Sequence, residues 1–382
     1  MNFQVITEDR RTKARLGRIV TDHGEIQTPV FMPVGTAGTV KAITQQQLEE
    51  LGAEILLCNT YHLYLRPGHQ LIYELGGLHR FISWKRPLIT DSGGFQVFSI
   101  SALRRIFEDG VMFRSHLDGS SHFLSPEKAV EIQMYLGADI LMPLDECTAY
   151  PSDFLIARGG MERTLRWARR SRDLFSRDEG KCWPHRQWLF GIGQGGIHPE
   201  LRHECIDRLL DMEFPGYAIG GLAVGEPKGV MYEMVQQSCE LLPVGKPRYL
   251  MGVGTPMDLV ECIALGVDMF DCVMPTRNGR NGWLFTRAGH IVIKHAQYAR
   301  DQEPIDSACH CLVCCNYSRA YLRHLFQANE ILASILNSYH NLYFYLDMVR
   351  EIRNAIASRR LIDYLTEFRA RQETGEVNKG RV

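Results

Sequence analysis

The sequence predicts an α/β fold, a (β/α)8 barrel that carries a helical insertion near its C-terminus. A phrase of the form Leu-Gly-(Ala/Val)-(Asp/Glu), followed by a short apolar run, begins at Leu51, Leu136 and Leu265. A glycine at this point ends a helix and leads into a buried strand, as in the αβ connections of a parallel sheet. The chain contains eight such apolar runs, which is the strand number of this barrel. After residue 277 the alternation of helices and apolar runs stops, and residues 278–300 are rich in glycine, asparagine and alternating apolar residues.

The eight apolar runs define the expected strands in chain order. They cover residues 30–34, 54–58, 88–91, 140–145, 188–193, 217–221, 249–252 and 267–271. Helices are expected between them, because Ser125-Pro126 and Thr255-Pro256 each pair a hydroxyl N-cap with proline at the first helical position. A doubly wound sheet would produce a similar alternation of strands and helices and is the alternative.

Length and charge limit the classes of protein that are possible. The chain has 382 residues, 45% of them hydrophobic, which is enough for one barrel and an appendage. With 43 basic and 44 acidic residues the protein is not a polycation, so nucleic acid could be held only by local patches. No apolar run approaches a membrane span, and the first residues lack an apolar signal core. We therefore expect a cytoplasmic protein without a membrane partner, and 11 cysteines suit a reducing compartment.

The chain divides into three expected parts. Residues 1–277 should form the barrel and carry the catalytic site. Residues 278–340 should form a hairpin and a metal-binding subdomain, with a first helix over 318–336. Residues 341–382 should supply C-terminal helices, over 341–357 and 359–369, that close the barrel and end in a polar tail. An insertion this small needs a stabilising element such as a metal ion.

A cysteine cluster supplies that element. Cys309, Cys311 and Cys314 lie within six residues, and a histidine on a following helix would complete the four donors of a closed tetrahedral Zn²⁺ site. His310 lies between two of the cysteines and would point away from them, whereas His324 and His340 lie on downstream helical segments; of these His340 is favoured. Free thiols in a turn are the alternative, but Cys-x-Cys is too tight for an ordinary disulfide. Four protein ligands leave no position for water, so one structural zinc per subunit is expected.

Three aspartates, Asp91, Asp145 and Asp271, lie at the carboxyl ends of three predicted strands. In a barrel these ends form one mouth, so the carboxylates should converge. Each of them taken alone could instead cap a helix, and Asp271 could pair with Arg277 or Arg280. Paired carboxylates in one pocket suit displacement at a sugar C1′, where one attacks or stabilises the centre and the other moves protons.

Two segments depart from the neutral charge balance. Residues 158–172 contain six arginines and one glutamate, and residues 272–300 contain five basic residues and no acid. A solvated helix face and a basic hairpin would explain them separately. Together with further arginines near the C-terminus they favour phosphate binding.

Several motifs, in this order, carry a resemblance to a known family. They are Asp91-Ser-Gly-Gly-Phe-Gln, Leu144-Asp-Glu-Cys, Gln194-Gly-Gly, Gly220-Gly-Leu-Ala-Val-Gly-Glu, Phe270-Asp-Cys-Val-Met-Pro-Thr-Arg-Asn-Gly-Arg and the cysteine cluster. From about Gly17 to Arg369 the chain resembles the bacterial-type queuine/preQ1 tRNA-guanine transglycosylases. The resemblance implies a pentosyltransferase of queuosine biosynthesis. It would exchange guanine at wobble position 34 of G-U-N anticodon tRNAs, those for Asp, Asn, His and Tyr, for the 7-deazaguanine preQ1, and would act as a homodimer.

The resemblance also implies roles for individual residues. Asp271 would attack C1′ to form a covalent tRNA intermediate, and Asp91 would serve as general acid and base. Arg277 and Arg280 would contact RNA. The base pocket would comprise Ser92, Phe95, Gln96, Asp145, Cys147, Gln194, Gly221, Leu222 and Met251. The implied zinc ligands are Cys309, Cys311, Cys314 and His340, the set already favoured by donor chemistry.

Two positions depart from the family pattern. Phe95 stands where many members have tyrosine, and Gly193 stands where a bulkier residue such as valine is usual. Cys147 and Val224 resemble the preQ1-using type. The alternatives are the same exchange with queuine itself and a non-catalytic tRNA-binding subunit of a heterodimer. The second alternative predicts loss of the nucleophile, whereas Asp271 is present.

Overall fold

Eight parallel strands form the centre of the fold. The computed structural model describes residues 2–100 and 104–377. The barrel strands are Val30–Gly35, Leu56–Cys58, Leu88–Thr90, Ile140–Leu141, Trp188–Leu189 with its continuation Gly191–Gly193, Tyr217–Ile219, Arg248–Leu250 and Met269–Cys272. Each of them falls within or beside one of the eight predicted apolar runs, although the fourth is shorter than expected. The predicted positions of the strands are confirmed.

Strand pairing closes the barrel. The eighth strand pairs with the first, with Phe270 opposite Phe31. The fifth strand pairs with the fourth through its first segment and with the sixth through its second, where Gly191 lies opposite Tyr217. Every one of these pairings is parallel, and the order runs once around the sheet. The predicted (β/α)8 barrel is therefore confirmed, and the doubly wound alternative is excluded.

Side chains of the barrel strands alternate between two apolar layers. Val30, Met32 and Val34 point into a cluster that fills the barrel interior, whereas Phe31 belongs to the layer between the sheet and the helices. Both faces of a strand are thus buried, which is why the strands read as continuous apolar runs instead of alternating ones.

Helices follow the strands and form the outer layer. In the barrel part they are Gln45–Glu50, Thr60–Leu65, His69–Glu74, Gly77–Phe81, Gly94–Ile100, Pro126–Leu136, Phe154–Asp178, Pro199–Leu210, Lys228–Leu241 and Pro256–Ala264. The hydroxyls of Ser125 and Thr255 each accept an N-cap hydrogen bond of 3.1 Å, as the sequence predicts. Gly137 ends its helix with φ +78°, a conformation that favours glycine.

Two antiparallel sheets of three strands accompany the barrel. The first, Asn2–Glu8, Arg15–Thr21 and Gly24–Thr28, contributes apolar side chains to the interior cluster and covers the amino ends of the barrel strands. The second, Arg104–Phe107, Gly110–Arg114 and Ser121–Leu124, comes between the helices Gly94–Ile100 and Pro126–Leu136 in the chain.

The C-terminal part consists of a hairpin and helices. The hairpin is Trp283–Thr286 with Gly289–Val292, followed by the 3-10 helix Ala296–Arg300 and the helices Leu312–Asn316, Arg319–Gln327, Ile331–Ala357 and Leu361–Val377. The prediction of one helix over 318–336 is wrong, because the chain turns at Asn329, whose φ is +54°. The helix Ile331–Ala357 runs through residue 340, where the sequence suggested a boundary between subdomains. The last helix continues beyond 369 to Val377, and the rest of the expected polar tail, 378–382, lies outside the described residues.

The helix Ile331–Ala357 joins the C-terminal part to the barrel. Tyr345 packs its ring against Phe31 of the first strand, with 4.9 Å between ring centroids. Its hydroxyl donates a 2.5 Å hydrogen bond to the carbonyl of Gly254, in the loop after the seventh strand. Among the described residues, none of the helices combines the length and the apolar character needed to cross a membrane.

Candidate active site

Three carboxylates meet at the carboxyl ends of the barrel strands. Tyr249, on the seventh strand, donates a 2.6 Å hydrogen bond to Oδ1 of Asp271. Burial raises the pKa of the Tyr249 hydroxyl well above its usual value, and the charges of Asp271, Asp91 and Asp145 raise it further. One hydroxyl can feel all three charges only if they are close to it, because Coulomb interactions fall with distance. The predicted convergence of the three aspartates at one mouth is therefore what the fold produces.

Asp91 is buried and held by four donors. Its Oδ1 accepts the backbone amides of Thr60 at 2.9 Å and Gly93 at 3.1 Å, and its Oδ2 accepts the side-chain amides of Gln96, at 2.8 Å, and Asn59. Burial raises the pKa of Asp91 to about 6, against the opposing effect of these hydrogen bonds. A carboxyl group with this pKa exchanges protons near neutral pH, which suits a general acid and base.

Asp145 shares the interior of the mouth with Asp91. Its Oδ2 accepts a 2.7 Å hydrogen bond from Nε2 of Gln194, and its Oδ1 accepts a 3.4 Å hydrogen bond from the Ser92 hydroxyl. Burial raises the pKa of Asp145 to about 6, and the charge of Asp91 adds to this effect. Two neighbouring carboxyl groups with raised pKa values form a pocket that can both accept and donate hydrogen bonds.

Asp271 differs from the other two because it is partly exposed. The amide of Gly252 donates a 2.8 Å hydrogen bond to Oδ1, the same oxygen that Tyr249 contacts. The second oxygen, Oδ2, lies outside this pair of hydrogen bonds. Burial raises the pKa of Asp271, and the two donors oppose the rise because they favour the charged form. The geometry fixes one oxygen of the carboxylate and leaves the other for a reacting group.

The loop after the sixth strand approaches Gln194 closely. A Cβ atom on Gly220 would lie 2.7 Å from Nε2 of Gln194, and one on Gly221 would overlap its Oε1. Gly221 also has φ +66°, so glycine is required there for two reasons. The carboxylate of Glu226 binds the same loop, because it accepts hydrogen bonds from the backbone amides of Ala223 at 2.5 Å and Val224 at 2.9 Å.

The remaining predicted base-pocket residues lie around these groups. Leu222 is buried, whereas Phe95 is 55% exposed on the helix Gly94–Ile100. Met251 is partly exposed and packs on the barrel interior, so it and Phe95 both have surface available to a flat ligand. Cys147 is half-buried, and burial together with the charge of Asp145 raises the pKa of its thiol to about 12. It therefore stays a neutral thiol at neutral pH.

Three residues of the site received no individual role from the sequence. Asn59 and Tyr249 contact Asp91 and Asp271 directly, and Glu226 fixes the glycine loop. Asn59 is among the residues that the sequence places at the strand ends, because it directly follows the second strand and so lies at the same rim as Asp91. Tyr249 has the apolar neighbours of a core residue in its strand. Glu226 ends the motif that begins at Gly220, but nothing local in the sequence indicates that its carboxylate binds the loop.

The basic residues near the mouth differ in exposure. Arg277 and Arg280 lie on the helix Met274–Arg280, directly after the eighth strand. Arg277 is exposed, whereas Arg280 is partly buried and donates to the carbonyl of Thr276 at 3.1 Å. The exposed guanidinium is therefore available to a ligand beside Asp271.

The arginines of residues 158–172 are paired with acids that the local sequence does not show. On the helix Phe154–Asp178, Arg163 pairs with Glu146, Arg166 binds Glu108 through both oxygens, and Arg170 binds Glu127 in the same manner. The expectation of a phosphate-binding patch rested on local charge, and these three pairs reduce that charge.

The cysteine cluster and His340 form a compact group of four donor side chains. Nδ1 of His340 lies 3.9 Å from Sγ of Cys309, 3.5 Å from that of Cys311 and 3.4 Å from that of Cys314. A tetrahedral zinc with ordinary Zn–S and Zn–N bond lengths would place sulfur and nitrogen about 3.6 Å apart. The residues therefore fit a metal ion, and all four donor atoms lie within 4.8 Å of one another. Nε2 of His340 lies 2.7 Å from the carbonyl oxygen of Phe285, which leaves Nδ1 for the ion.

Fold and site together define a (β/α)8-barrel enzyme with three carboxylates at its mouth and a separate Cys3His group. A family model described as Queuine tRNA-ribosyltransferase matches residues 9–374. Several proteins named Queuine tRNA-ribosyltransferase are similar to this chain, each over 96% of its length. The relatives from Caldanaerobacter subterraneus subsp. tengcongensis and Thermoanaerobacter sp. (strain X514) are 57% and 56% identical, with 96% of each relative covered. The relative from Halothermothrix orenii is 54% identical, with 97% of it covered. The chain belongs to the queuine tRNA-ribosyltransferase family and is a transferase, which confirms the resemblance carried by the motifs.

Proposed function

We propose that this protein exchanges guanine at the wobble position of G-U-N anticodon tRNAs for the 7-deazaguanine preQ1. The observation that carries the proposal is the meeting of Asp91 and Asp271 around Tyr249 in a chain of this family. Two carboxylates beside one nucleoside are what a displacement at C1′ needs. The anticodon loop is a suitable substrate because its bases can leave the stack at low cost.

Asp271 is the nucleophile in this proposal. Its carboxylate attacks C1′ of the ribose, the bond from C1′ to guanine breaks, and the tRNA is held as an ester of the aspartate. Tyr249 and Gly252 hold Oδ1 in place, so Oδ2 forms the new bond. The incoming base then attacks C1′ and releases the carboxylate.

Asp91 moves the proton in both halves of the exchange. With a pKa of about 6, about a tenth of it is protonated at pH 7, and it protonates the ring nitrogen of the departing guanine. The resulting carboxylate takes the corresponding proton from the incoming base. No external energy source is needed, because one glycosidic bond replaces another.

The other residues of the mouth recognise the base. Asp145 and Gln194, which already bind each other, hydrogen-bond the guanine edge with the amide of Gly221 and the carbonyl of Leu222. Phe95 and Met251 enclose the ring from its two faces. Ser92, which binds Asp145, Gln96, which binds Asp91, and the half-buried Cys147 complete the pocket.

The identity of the incoming base has a direct test. Cys147 and Val224 favour preQ1, whereas queuine used directly is the second candidate. A tRNA that carries labelled guanine at the wobble position should lose the label when preQ1 is added and should lose it much more slowly when queuine is added. The reverse order would assign the protein to direct use of queuine.

The surroundings of the site suit RNA and a second subunit. Arg277 and Arg280 contact phosphates of the anticodon loop. A homodimer positions the tRNA, with one subunit working while the other helps to hold it. Leu312, within the cysteine cluster, and Ile331 and Leu332, at the start of the helix that carries His340, are 50%, 78% and 38% exposed, and exposed apolar side chains of this kind support an interface. Analytical ultracentrifugation at micromolar protein concentration tests whether the protein is a dimer. The protein acts in the cytoplasm, where such tRNAs are available.

The Cys3His group holds one structural Zn²⁺ per subunit in this proposal. Three thiolates and one imidazole nitrogen are a donor set that zinc prefers, and such closed sites stabilise folds. Cys309, Cys311, Cys314 and His340 would bind it. The ion would fix the hairpin and short helices of residues 278–340 against the helix Ile331–Ala357 and would take no part in the exchange.

Substitution of the nucleophile tests the chemistry. Asp271→Asn should fold and bind tRNA but should form no covalent adduct that survives denaturation. Asp91→Ala should abolish exchange while leaving tRNA affinity largely intact. An adduct of normal yield in Asp271→Asn would place the nucleophile elsewhere and end the proposal.

A further inference from the structure

A second group of side chains with donor atoms suited to a metal ion lies at the end of the barrel opposite the active site. Asp139 directly precedes the fourth strand, His79 lies on the helix Gly77–Phe81, and His23 lies in the turn between the strands Arg15–Thr21 and Gly24–Thr28. Nδ1 of His23 is 2.8 Å from Oδ1 of Asp139, and Nε2 of His79 is 3.3 Å from Oδ2. The donor atoms all lie within 4.8 Å of one another.

Asp139 needs a positive partner. Its side chain is fully buried, and the described ion pairs give it only the two imidazoles. Oδ2 also accepts the amide of Leu88 at 2.8 Å. A carboxylate held ionised in the interior requires a compensating charge, which is either a proton on an imidazole or a cation.

Both imidazoles direct a ring nitrogen at the carboxylate of Asp139. Nε2 of His79 is buried and has no hydrogen-bond partner of good geometry, although it faces the carboxylate. His23 is 24% exposed at its turn, which gives a path from solvent. His185 packs its ring edge on His23, with 4.7 Å between centroids, and its Nε2 is 3.1 Å from the carbonyl of Gly137. This second layer restrains the orientation of the His23 ring.

We propose that His23, His79 and Asp139 form a site for one divalent transition-metal cation. Two imidazole nitrogens and one carboxylate oxygen suit Zn²⁺, Co²⁺ or Ni²⁺ and do not suit Mg²⁺ or Ca²⁺, which prefer oxygen ligands. The rings of His23 and His79 stack with 3.7 Å between centroids. Two imidazoles on one tetrahedral ion lie about 5 Å apart at their centroids, so His23 moves outward with its turn when the ion binds.

The site would join three separate elements. An ion at this position ties the N-terminal antiparallel sheet, through His23, to the floor of the barrel at Asp139 and to the helix of His79. It contains no thiol, so it differs in metal preference from the Cys3His group. It is also independent of the proposed exchange, because it lies at the amino ends of the strands.

Calorimetric titration with Ni²⁺ tests the proposal on the zinc-loaded full-length protein. The wild type should bind one equivalent of Ni²⁺. His23→Ala and His79→Ala, on different elements, should each weaken binding at least tenfold. The matched control is His203→Ala, which removes another histidine that pairs with a carboxylate, 3.1 Å from Asp207 on an exposed helix face, and it should bind as the wild type does.

Thermal unfolding gives an independent readout. Ni²⁺ should raise the unfolding temperature of the wild type and of His203→Ala, because the ion binds the folded state, and should leave that of His23→Ala and His79→Ala unchanged. Circular dichroism of each variant before titration separates loss of the site from loss of the fold. Absence of Ni²⁺ binding in the wild type would mean that protons alone hold the cluster, and undiminished binding in both folded variants would place the ion elsewhere. Either result overturns the proposal.

Discussion

Tyr249→Phe tests whether a single hydroxyl sets the charge state of the proposed nucleophile. The substitution removes the 2.6 Å hydrogen bond to Asp271 and retains the ring that fills the barrel. Burial already raises the pKa of Asp271, and the Tyr249 hydroxyl opposes this by favouring the carboxylate. Without it, only the Gly252 amide still contacts Oδ1 among the donors described for this carboxylate.

The size of the effect follows from the strength of such bonds. A hydrogen bond to a charged group contributes about 1.5–3 kcal/mol. One pKa unit corresponds to about 1.4 kcal/mol, so the pKa of Asp271 should rise by about one to two units. Exchange needs the carboxylate, which is present above this pKa and lost as the pH falls through it. The acidic limb of the activity profile should therefore move to higher pH by the same amount.

The assay is kcat/KM for guanine exchange measured across pH. Tyr345→Phe is a matched control, since it removes another buried hydroxyl, the one that donates to Gly254, and does not touch a carboxylate. Both variants should lose about 1 kcal/mol of folding stability, but only Tyr249→Phe should shift the acidic limb. An unshifted limb in a folded Tyr249→Phe protein would refute the reasoning that this bond tunes Asp271.

Three further predictions concern stability. Burial raises the pKa of Asp145 to about 6, so the folded state takes up a proton there as the pH falls from 7 to 5, and the free energy of unfolding rises. Asp145→Asn should remove about 1 kcal/mol of that rise, as measured by urea unfolding at the two pH values. Gly193→Ala should raise the free energy of unfolding by about 0.4–1 kcal/mol, as measured by chemical denaturation. The added Cβ would lie at an ordinary contact distance of 3.7 Å from Ile206 and Ala218. Cys311→Ser should lose bound metal and soluble yield together, measured by elemental analysis of the purified protein.

Each of these three predictions has a matched control substitution elsewhere in the protein. The exposed Asp173→Asn should leave the pH dependence of stability unchanged, and an equal loss there would remove the assignment to Asp145. Gly191→Ala should destabilise, because its Cβ would lie 2.7 Å from the Phe214 ring; equal effects at both glycines would contradict the space found at Gly193. The exposed Cys315→Ser should keep its metal, and a well-folded, metal-free Cys311→Ser protein would contradict the structural role.

Much of the barrel could be predicted because burial on both faces gives its strands a continuous apolar pattern. The run before Asp91 and the run containing Asp271 were recognisable for this reason, and the barrel topology brings their carboxyl ends to one mouth. The metal group could be predicted because three cysteines within six residues leave few other uses for their thiols. In both cases the information is local in sequence.

Other features depend on partners far away in the chain. Arg166 appeared to belong to a basic patch, but Glu108, 58 residues earlier, neutralises it. The break at Asn329 separates two helices where periodicity favoured one. His23 and Asp139 are separated by 116 residues, and no local pattern relates them. Contacts of this kind exist only after the sheet has closed.

The sequence by itself determined where the barrel strands lie, which acidic residues stand at their ends and that three cysteines are clustered, because hydrophobic periodicity and short-range spacing are properties of the chain. The tertiary structure alone decided which oxygen of Asp271 is held, why Asp91 has a pKa of about 6 and which arginines stay exposed. The physical reason is that desolvation and Coulomb interactions depend on distances between groups that the chain brings together only by folding.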